Sequence, residues 1–179
     1  IYGARPEATD VEVTFRADGD ATRVTITHGG WQRLAGERSD LRGRKVVLVF
    51  FGYTFCPAVW PTTLSMLSAV SRALGADKDR VKTVYITVDP ERDTPAVMRE
   101  HLAMFSVDAV GLTGTPDQIA QVAKQFAAAY EIDRTECAAK YLVSHTTSLY
   151  AIDPNGQTRF LFRYEATVDE IVEGIRALL

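Results

Sequence analysis

Residues 46–61 read VVLVFFGYTFCPAVWP and place Cys56 between two different patterns. Residues 46–51 are continuously apolar, which is typical of a strand buried on both faces of a sheet. After Pro61, which suits a first helical turn because it lacks an N–H, apolar residues recur at helical spacing as far as Leu74, and Gly75 predicts the end of the helix. The stretch therefore predicts a buried strand, then a helix, with Cys56 in the connection. Sites in open α/β sheets lie beyond the carboxyl ends of strands, so Cys56 is the first candidate functional residue.

The rest of the chain also alternates between strand and helix patterns. Residues 1–10 have no periodicity and are expected to form a tail, whereas residues 11–16 and 22–27 alternate apolar and polar side chains and predict an N-terminal β-hairpin. Further strands are predicted at 81–88, 109–112, 147–152 and 158–164, further helices at 96–105, 115–129 and 168–179, and irregular segments at 31–44 and 130–140. This order predicts one α/β domain over residues 11–179.

Composition excludes several classes of function. The chain of 179 residues is 46% hydrophobic and 24% charged, as in ordinary globular domains. Its net charge of -3 gives no sign of a nucleic-acid partner. The chain also has no run of about 18 apolar residues, the length that spanning a bilayer requires. Because it begins with Ile1, we expect a mature or trimmed fragment whose signal peptide or anchor lies outside the sequence. Two cysteines allow one disulfide, two free thiols or two metal ligands, and do not decide the compartment.

Four segments resemble, in their order, the Sco/SenC proteins, which are thioredoxin-like copper chaperones of cytochrome oxidase assembly. The segments are residues 45–57 with 61–64, 88–95, 141–150 and 152–156. The resemblance implies an α/β, thioredoxin-like (peroxiredoxin-like) fold with a central mixed sheet flanked by helices. It also implies copper as the bound metal and a respiratory oxidase subunit or another copper chaperone as partner. The implied location is extracytoplasmic, either periplasmic or membrane-anchored with the soluble domain outside the cytoplasm.

This chain departs from the metal-binding motif of the family. In the family, the two cysteines of a Cys-Pro-x-x-Cys-Pro motif and a distal histidine bind copper. Cys56 and His145 occupy the first and third of these positions, but Trp60 stands in place of the second cysteine. An indole N–H is only a donor and supplies no lone pair to a metal. The resemblance therefore implies an incomplete and weakened copper site.

Each candidate ligand has a competing structural interpretation. Cys56 precedes a predicted helix N-terminus, which stabilises a thiolate that can bind Cu(I) or act as a nucleophile, yet many free cysteines are merely buried. His145 could ligate copper as neutral imidazole or be a hydrogen-bonded loop histidine. Cys137 could be a third ligand, a resolving thiol for Cys56, or an ordinary loop cysteine. Trp60 could fill the vacated volume, shield Cys56, or contact a partner protein.

Other polar residues are expected to be structural. Asp89, Glu91 and Asp93 fit no hard-metal loop, and Asp93 or Thr94 is expected to cap the following helix. We interpret His28 as a hairpin residue and His101 as a helix surface residue.

Three functions therefore remain open. The first is a copper-handling or oxidase-assembly protein with a weakened site, which is a metallochaperone more than an enzyme. The second is a thiol peroxidase or reductase that uses Cys56 alone or with Cys137. The third is a metal-free binding module with Trp60 at its interface.

Overall fold

The computed structural model describes residues 11–18, 21–28, 45–55, 60–133 and 141–179, with side chains in 45–55, 63–133 and 141–179. Its strands are β1 (Val11–Asp18), β2 (Ala21–His28), β3 (Val46–Gly52), β4 (Val81–Thr87), β5 (Ala109–Leu112), β6 (Tyr130–Asp133), β7 (Leu142–His145), β8 (Leu149–Ile152) and β9 (Thr158–Phe162). Its α-helices are α1 (Trp60–Leu74), α2 (Pro95–Leu102), α3 (Pro116–Gln125) and α4 (Val168–Arg176), and a 3₁₀ turn follows α1 at Gly75–Arg80. Within these described ranges, no helix is long and apolar enough to cross a membrane.

A mixed five-stranded sheet forms the centre, in the order β5-β4-β3-β8-β9. Strands β3, β4 and β5 are parallel, whereas β8 and β9 are antiparallel to their neighbours. Strand β3 pairs with β4 on one side and with β8 on the other, and all seven of its residues are buried. This confirms the predicted central mixed sheet and the prediction that the apolar run 46–51 is a strand covered on both faces.

Helices cover both faces of this sheet. One face packs against α1, α4 and the buried side chains of α2, through Leu64, Leu67, Val70, Leu74, Met98, Ile171 and Ile175. The other face packs against α3 and the following turn, through Ile119, Ala123 and Phe126. The helical spacing predicted for α1 is confirmed at its buried leucines and Val70, but Ala73 is exposed.

Local signals set the helix ends. The hydroxyls of Thr94, Thr115 and Thr167 accept hydrogen bonds from backbone N–H groups in the first turns of α2, α3 and α4. Helix α1 ends at Leu74, and Gly75 takes a positive φ of 60° that suits glycine. Helices α2, α3 and α4 end three or four residues earlier than predicted, because their last residues lie in turns.

The prediction that residues 130–140 are irregular is wrong for the first four of them. Tyr130–Asp133 forms β6, which pairs antiparallel with β7, and His145 is the last residue of β7. Two of the four residues of β6 are acidic, a residue type depleted in strands, and for this reason its sequence is interpreted as a loop. The N-terminal hairpin is confirmed by the antiparallel pairing of β1 with β2. The predictions for residues 1–10 and 31–44 lie outside the described residues.

Candidate metal centre

Three connections meet at one edge of the central sheet. Gly52, the last residue of β3, pairs with Thr87, the last residue of β4. Leu149, the first residue of β8, pairs with Phe50 near the same end of β3. The segments that follow β3 and β4 and the segment that precedes β8 therefore emerge side by side. This edge, at the carboxyl ends of parallel strands, is where α/β folds carry their sites.

His145 lies against the segment that leads to Cys56. Its ring is edge-on to the ring of Tyr53, with 6.0 Å between the centroids. The Tyr53 hydroxyl accepts a hydrogen bond from the Val143 N–H at 3.3 Å, so this buried tyrosine holds β7 from the β3 side. Tyr53 stands three residues before Cys56. The fold thus brings His145 to the part of the chain that carries the candidate thiol.

The environment of His145 favours the metal-binding form of imidazole. Its Nδ1 lies 3.0 Å from the Thr146 carbonyl oxygen. Because a carbonyl only accepts, Nδ1 carries the proton and the lone pair is left on Nε2. Burial lowers the pKa of His145 below its ordinary value of 6.5, and the hydrogen bond to Thr146 opposes that shift only in part. A neutral imidazole whose Nδ1–H is held by a carbonyl is the usual arrangement of a histidine ligand.

A buried carboxylate anchors residues 53–55, which lead to Cys56 and are called the Cys56 segment below. Asp93 is fully buried, and its carboxylate accepts hydrogen bonds from the Thr54 N–H at 3.0 Å, the Thr54 hydroxyl at 2.5 Å and the Thr87 hydroxyl at 2.6 Å. Thr54 lies two residues before Cys56. Asp93 therefore ties the segment after β3 to the end of β4 and to the start of α2.

A second buried carboxylate organises the side of the site toward β7. Asp89 is fully buried and accepts a hydrogen bond from the Tyr141 hydroxyl at 2.5 Å and from the Arg92 Nε–H, with which it forms an ion pair. Burial first, then the hydrogen bond and charge of Asp89, raise the pKa of Tyr141 to about 12. Arg92 also donates from Nη1 to the Tyr141 carbonyl at 3.1 Å, and its Nη2 is buried without an acceptor in the described part of the chain.

Two of the three predicted metal ligands lie outside the residues that the structure describes. Cys56 and Cys137 both lie there, so their mutual distance and their distances to His145 stay predictions. Trp60 is the first residue of α1, and only its backbone is described. Among the described side chains, no group of three or more histidines, cysteines or carboxylates is placed to hold a metal ion.

The acidic loop differs from its sequence interpretation in one respect. Thr94, one of the two residues expected to cap α2, does so, whereas Asp93 binds the Cys56 segment instead. Asp89 is an internal ion-pair partner. His101 is half-buried and packs against Phe105, with 5.6 Å between the ring centroids, so its prediction as a helix surface residue is wrong.

Sequence reasoning placed Tyr53 in the wall of the site but missed the supporting roles of Arg92 and Asp93. One signal was present, since four charged residues lie in Val88–Thr94, directly after the largely buried strand β4. Charges so close to a buried strand are costly unless they are paired.

The fold and the residues gathered at the end of β3 define a thioredoxin-like domain. The family model described as SCO1/SenC matches residues 34–179, and the chain belongs to this family. The Protein SCO2 homolog, mitochondrial, of Mus musculus is 35% identical over 162 residues, which are 89% of this chain and 62% of the mouse protein.

Solved structures agree with this assignment. ScoI of Bradyrhizobium japonicum, solved with copper bound, is 39% identical, with a TM-score of 0.70 over 78% of this chain and 87% of that chain. Apo Sco1 of Thermus thermophilus is 27% identical, with a TM-score of 0.71 over 99% of this chain and 96% of that chain. The present chain spans less than two thirds of the length of the mouse relative.

Proposed function

We propose that this protein binds Cu(I) as cargo through Cys56 and His145 and delivers it in the assembly of a respiratory oxidase. The observation that carries the proposal is the position of His145, which lies against Tyr53 in the Cys56 segment with its lone pair on Nε2. The copper-bound state of the related Bradyrhizobium ScoI supports it. Membership in the SCO1/SenC family favours copper handling over a thiol redox enzyme or a metal-free module.

The two proposed donors suit Cu(I) chemically. A thiolate is a soft ligand that selects Cu(I), and imidazole is a good copper ligand. Binding to Cys56 releases the thiol proton, because the thiolate is the ligating form. His145 releases none near neutral pH, because its lowered pKa keeps it neutral.

Trp60 makes the proposed site weaker than one with two cysteines. It supplies no lone pair at the position of the second thiol, so Cys56 and His145 form a two-ligand site unless Cys137 joins them. Cys137 belongs to the connection between β6 and β7, which ends at Tyr141. Tyr141 stacks on Arg92, whose guanidinium also lies 5.1 Å from the Phe55 ring. The C-terminal end of that connection therefore lies near Phe55, which supports Cys137 as the candidate third donor.

We place the domain outside the cytoplasm, in a periplasmic or intermembrane compartment. The mitochondrial name of the mouse relative supports this location. The proposed recipient is an oxidase subunit or another copper chaperone. Fast release to such a recipient suits a site with fewer ligands, because each missing donor weakens retention of the metal.

The test is a titration of the reduced protein with Cu(I) against a competing chelator. Cys56→Ala should abolish stoichiometric binding, and His145→Ala should weaken it. Cys137→Ser separates the two ligand sets: reduced affinity means a three-donor site, and unchanged affinity means the two-donor site. Full affinity retained by Cys56→Ala would refute the proposed function.

A further inference from the structure

The residue after His145 pairs with the opposite segment in an irregular way. Thr146 lies opposite Ala129, one position beyond the β6–β7 pair formed by Tyr130 and His145. The Thr146 N–H donates to the Ala129 carbonyl at 2.9 Å, as in a regular antiparallel pair. The return bond differs, because the Ala129 N–H donates to the Thr146 hydroxyl, at 2.9 Å, and not to the Thr146 carbonyl. The hydroxyl therefore takes the place that a backbone carbonyl has in a regular ladder.

This exchange leaves the Thr146 carbonyl available to His145. The carbonyl oxygen lies 3.0 Å from Nδ1 of His145. In a regular pair each residue gives its carbonyl to the residue opposite, so the same oxygen would point across to Ala129. A threonine hydroxyl has one proton and two lone pairs. It can therefore accept from the Ala129 N–H and also donate to the Ala129 carbonyl, which lies 3.3 Å away.

Ala129 is a fixed support for this pairing. Helix α3 is followed by a turn in which Ala127 has a positive φ of 49°. The buried Ala128 donates from its N–H to the Ala123 carbonyl at 2.9 Å, and both alanines belong to the core between α3 and the sheet. Thr146 is therefore tied to the end of α3 as well as to β7, and its carbonyl is held in one orientation.

We propose that Thr146 is the positioning residue of His145, because its hydroxyl replaces its own carbonyl in the pairing with Ala129 and so keeps that carbonyl on Nδ1 of His145. The consequence is a single tautomer, with the proton on Nδ1 and the lone pair on Nε2. A histidine that ligates a metal depends on such a partner for its tautomer and its ring orientation. The inference rests on the proposed function only for its copper readout.

NMR of the imidazole nitrogens in the copper-free protein, at a pH where His145 is neutral, tests the inference directly. Wild type should show the Nδ1–H tautomer alone. Thr146→Val keeps the shape of threonine without the hydroxyl, so the Ala129 N–H should take the carbonyl at position 146 and a second tautomer, with its proton on Nε2, should appear. Thr146→Ser, which keeps the hydroxyl, should retain the wild-type signals. Thr147→Val is the matched control at the exposed neighbouring position and should change nothing.

Copper affinity gives the second readout. Groups that orient a metal-bound histidine contribute about 10- to 100-fold to metal affinity. Because the Thr146 hydroxyl acts through its own carbonyl, Thr146→Val should lower Cu(I) affinity by about 10-fold in chelator competition, at the lower end of that range. Thr146→Ser and Thr147→Val should bind as wild type does. A second tautomer in Thr146→Val with unchanged affinity would overturn the role of Thr146 in copper binding.

The two readouts separate this inference from the proposed function. If Cys56→Ala leaves copper binding intact, the proposed function fails, and the tautomer signals still decide the role of Thr146. The Nδ1–H tautomer alone in Thr146→Val would overturn the inference. A mixture of tautomers in wild type would also overturn it, and that result does not depend on the folding of any variant.

Discussion

Replacement of Asp93 by alanine tests how strongly a buried carboxylate anchors the Cys56 segment. Asp93→Ala deprives the Thr54 N–H, the Thr54 hydroxyl and the Thr87 hydroxyl of their acceptor. Hydrogen bonds to a charged group contribute about 1.5–3 kcal/mol each, so three of them represent at least about 4.5 kcal/mol. Removal of a buried charge recovers part of its desolvation cost, and we therefore expect a net loss of about 3 kcal/mol in the free energy of unfolding.

Urea unfolding followed by circular dichroism measures this loss directly. At this chain length about 3 kcal/mol corresponds to a fall of about 6–12 °C in melting temperature. The matched control is Asp79→Ala, at an exposed position of the 3₁₀ turn, which should change stability by less than about 0.5 kcal/mol. Thr54→Val and the double variant complete a cycle, and we expect a coupling of about 0.5–3 kcal/mol between the two residues.

The same variant has a consequence at the site. With its anchor removed, the segment before Cys56 should open more often, and the alkylation rate of Cys56 should rise relative to the Asp79→Ala control. If Asp93→Ala and Asp79→Ala unfold at the same urea concentration, the hydrogen bonds to Asp93 contribute nothing net. That result would refute the reasoning.

Three further predictions concern protonation and packing. Burial lowers the pKa of His145, so between pH 6.5 and that lowered pKa the unfolded state binds a proton that the folded state does not. Acid should therefore destabilise the apo protein in this window, and His145→Gln should reduce the loss of stability. An NMR titration of His145 that gives a pKa of 6.5 or higher would contradict this. Tyr141, with its pKa raised from 10.0 to about 12, favours the neutral phenol in the folded state, so stability should fall as pH rises from 10.0 toward 12. Because burial also raises the pKa of Tyr150, Tyr141→Phe should reduce that slope in pH-dependent unfolding without abolishing it, and an unchanged slope would contradict this. Gly174→Ala would place its Cβ 2.6 Å from the Phe162 ring, so it should lower stability by about 1–3 kcal/mol through overpacking, despite the better helix propensity of alanine. In a Phe162→Ala background the same change should become neutral or stabilising. An equal loss of stability in that background would exclude the clash as its cause.

Local patterns in the sequence predict the central strand and the beginnings of the helices of this protein. The apolar run of β3 predicts a strand buried on both faces, because no polar side chain interrupts it. The spacing of Leu64, Leu67 and Val70 predicts α1, and the threonines before three helices predict where these helices begin. Each of these features depends on neighbours within a few positions along the chain.

The short strands β6 and β7 escape this kind of reasoning. Two of the four residues of β6 are acidic, which favours a loop, and the two strands are stabilised by pairing with each other. Their pairing places His145 at the edge of the sheet where the Cys56 segment begins.

The sequence by itself determined the family, the order of the main elements and the candidates Cys56, Cys137 and His145. Only the tertiary structure decided that Asp93 holds Thr54, that Arg92 lies between Phe55 and Tyr141, and that Tyr53 contacts β7. These contacts join residues 39, 49 and 90 positions apart. Their geometry depends on how three separate connections meet at one sheet edge, and a buried charge is stabilised by whichever donors the whole fold brings to it.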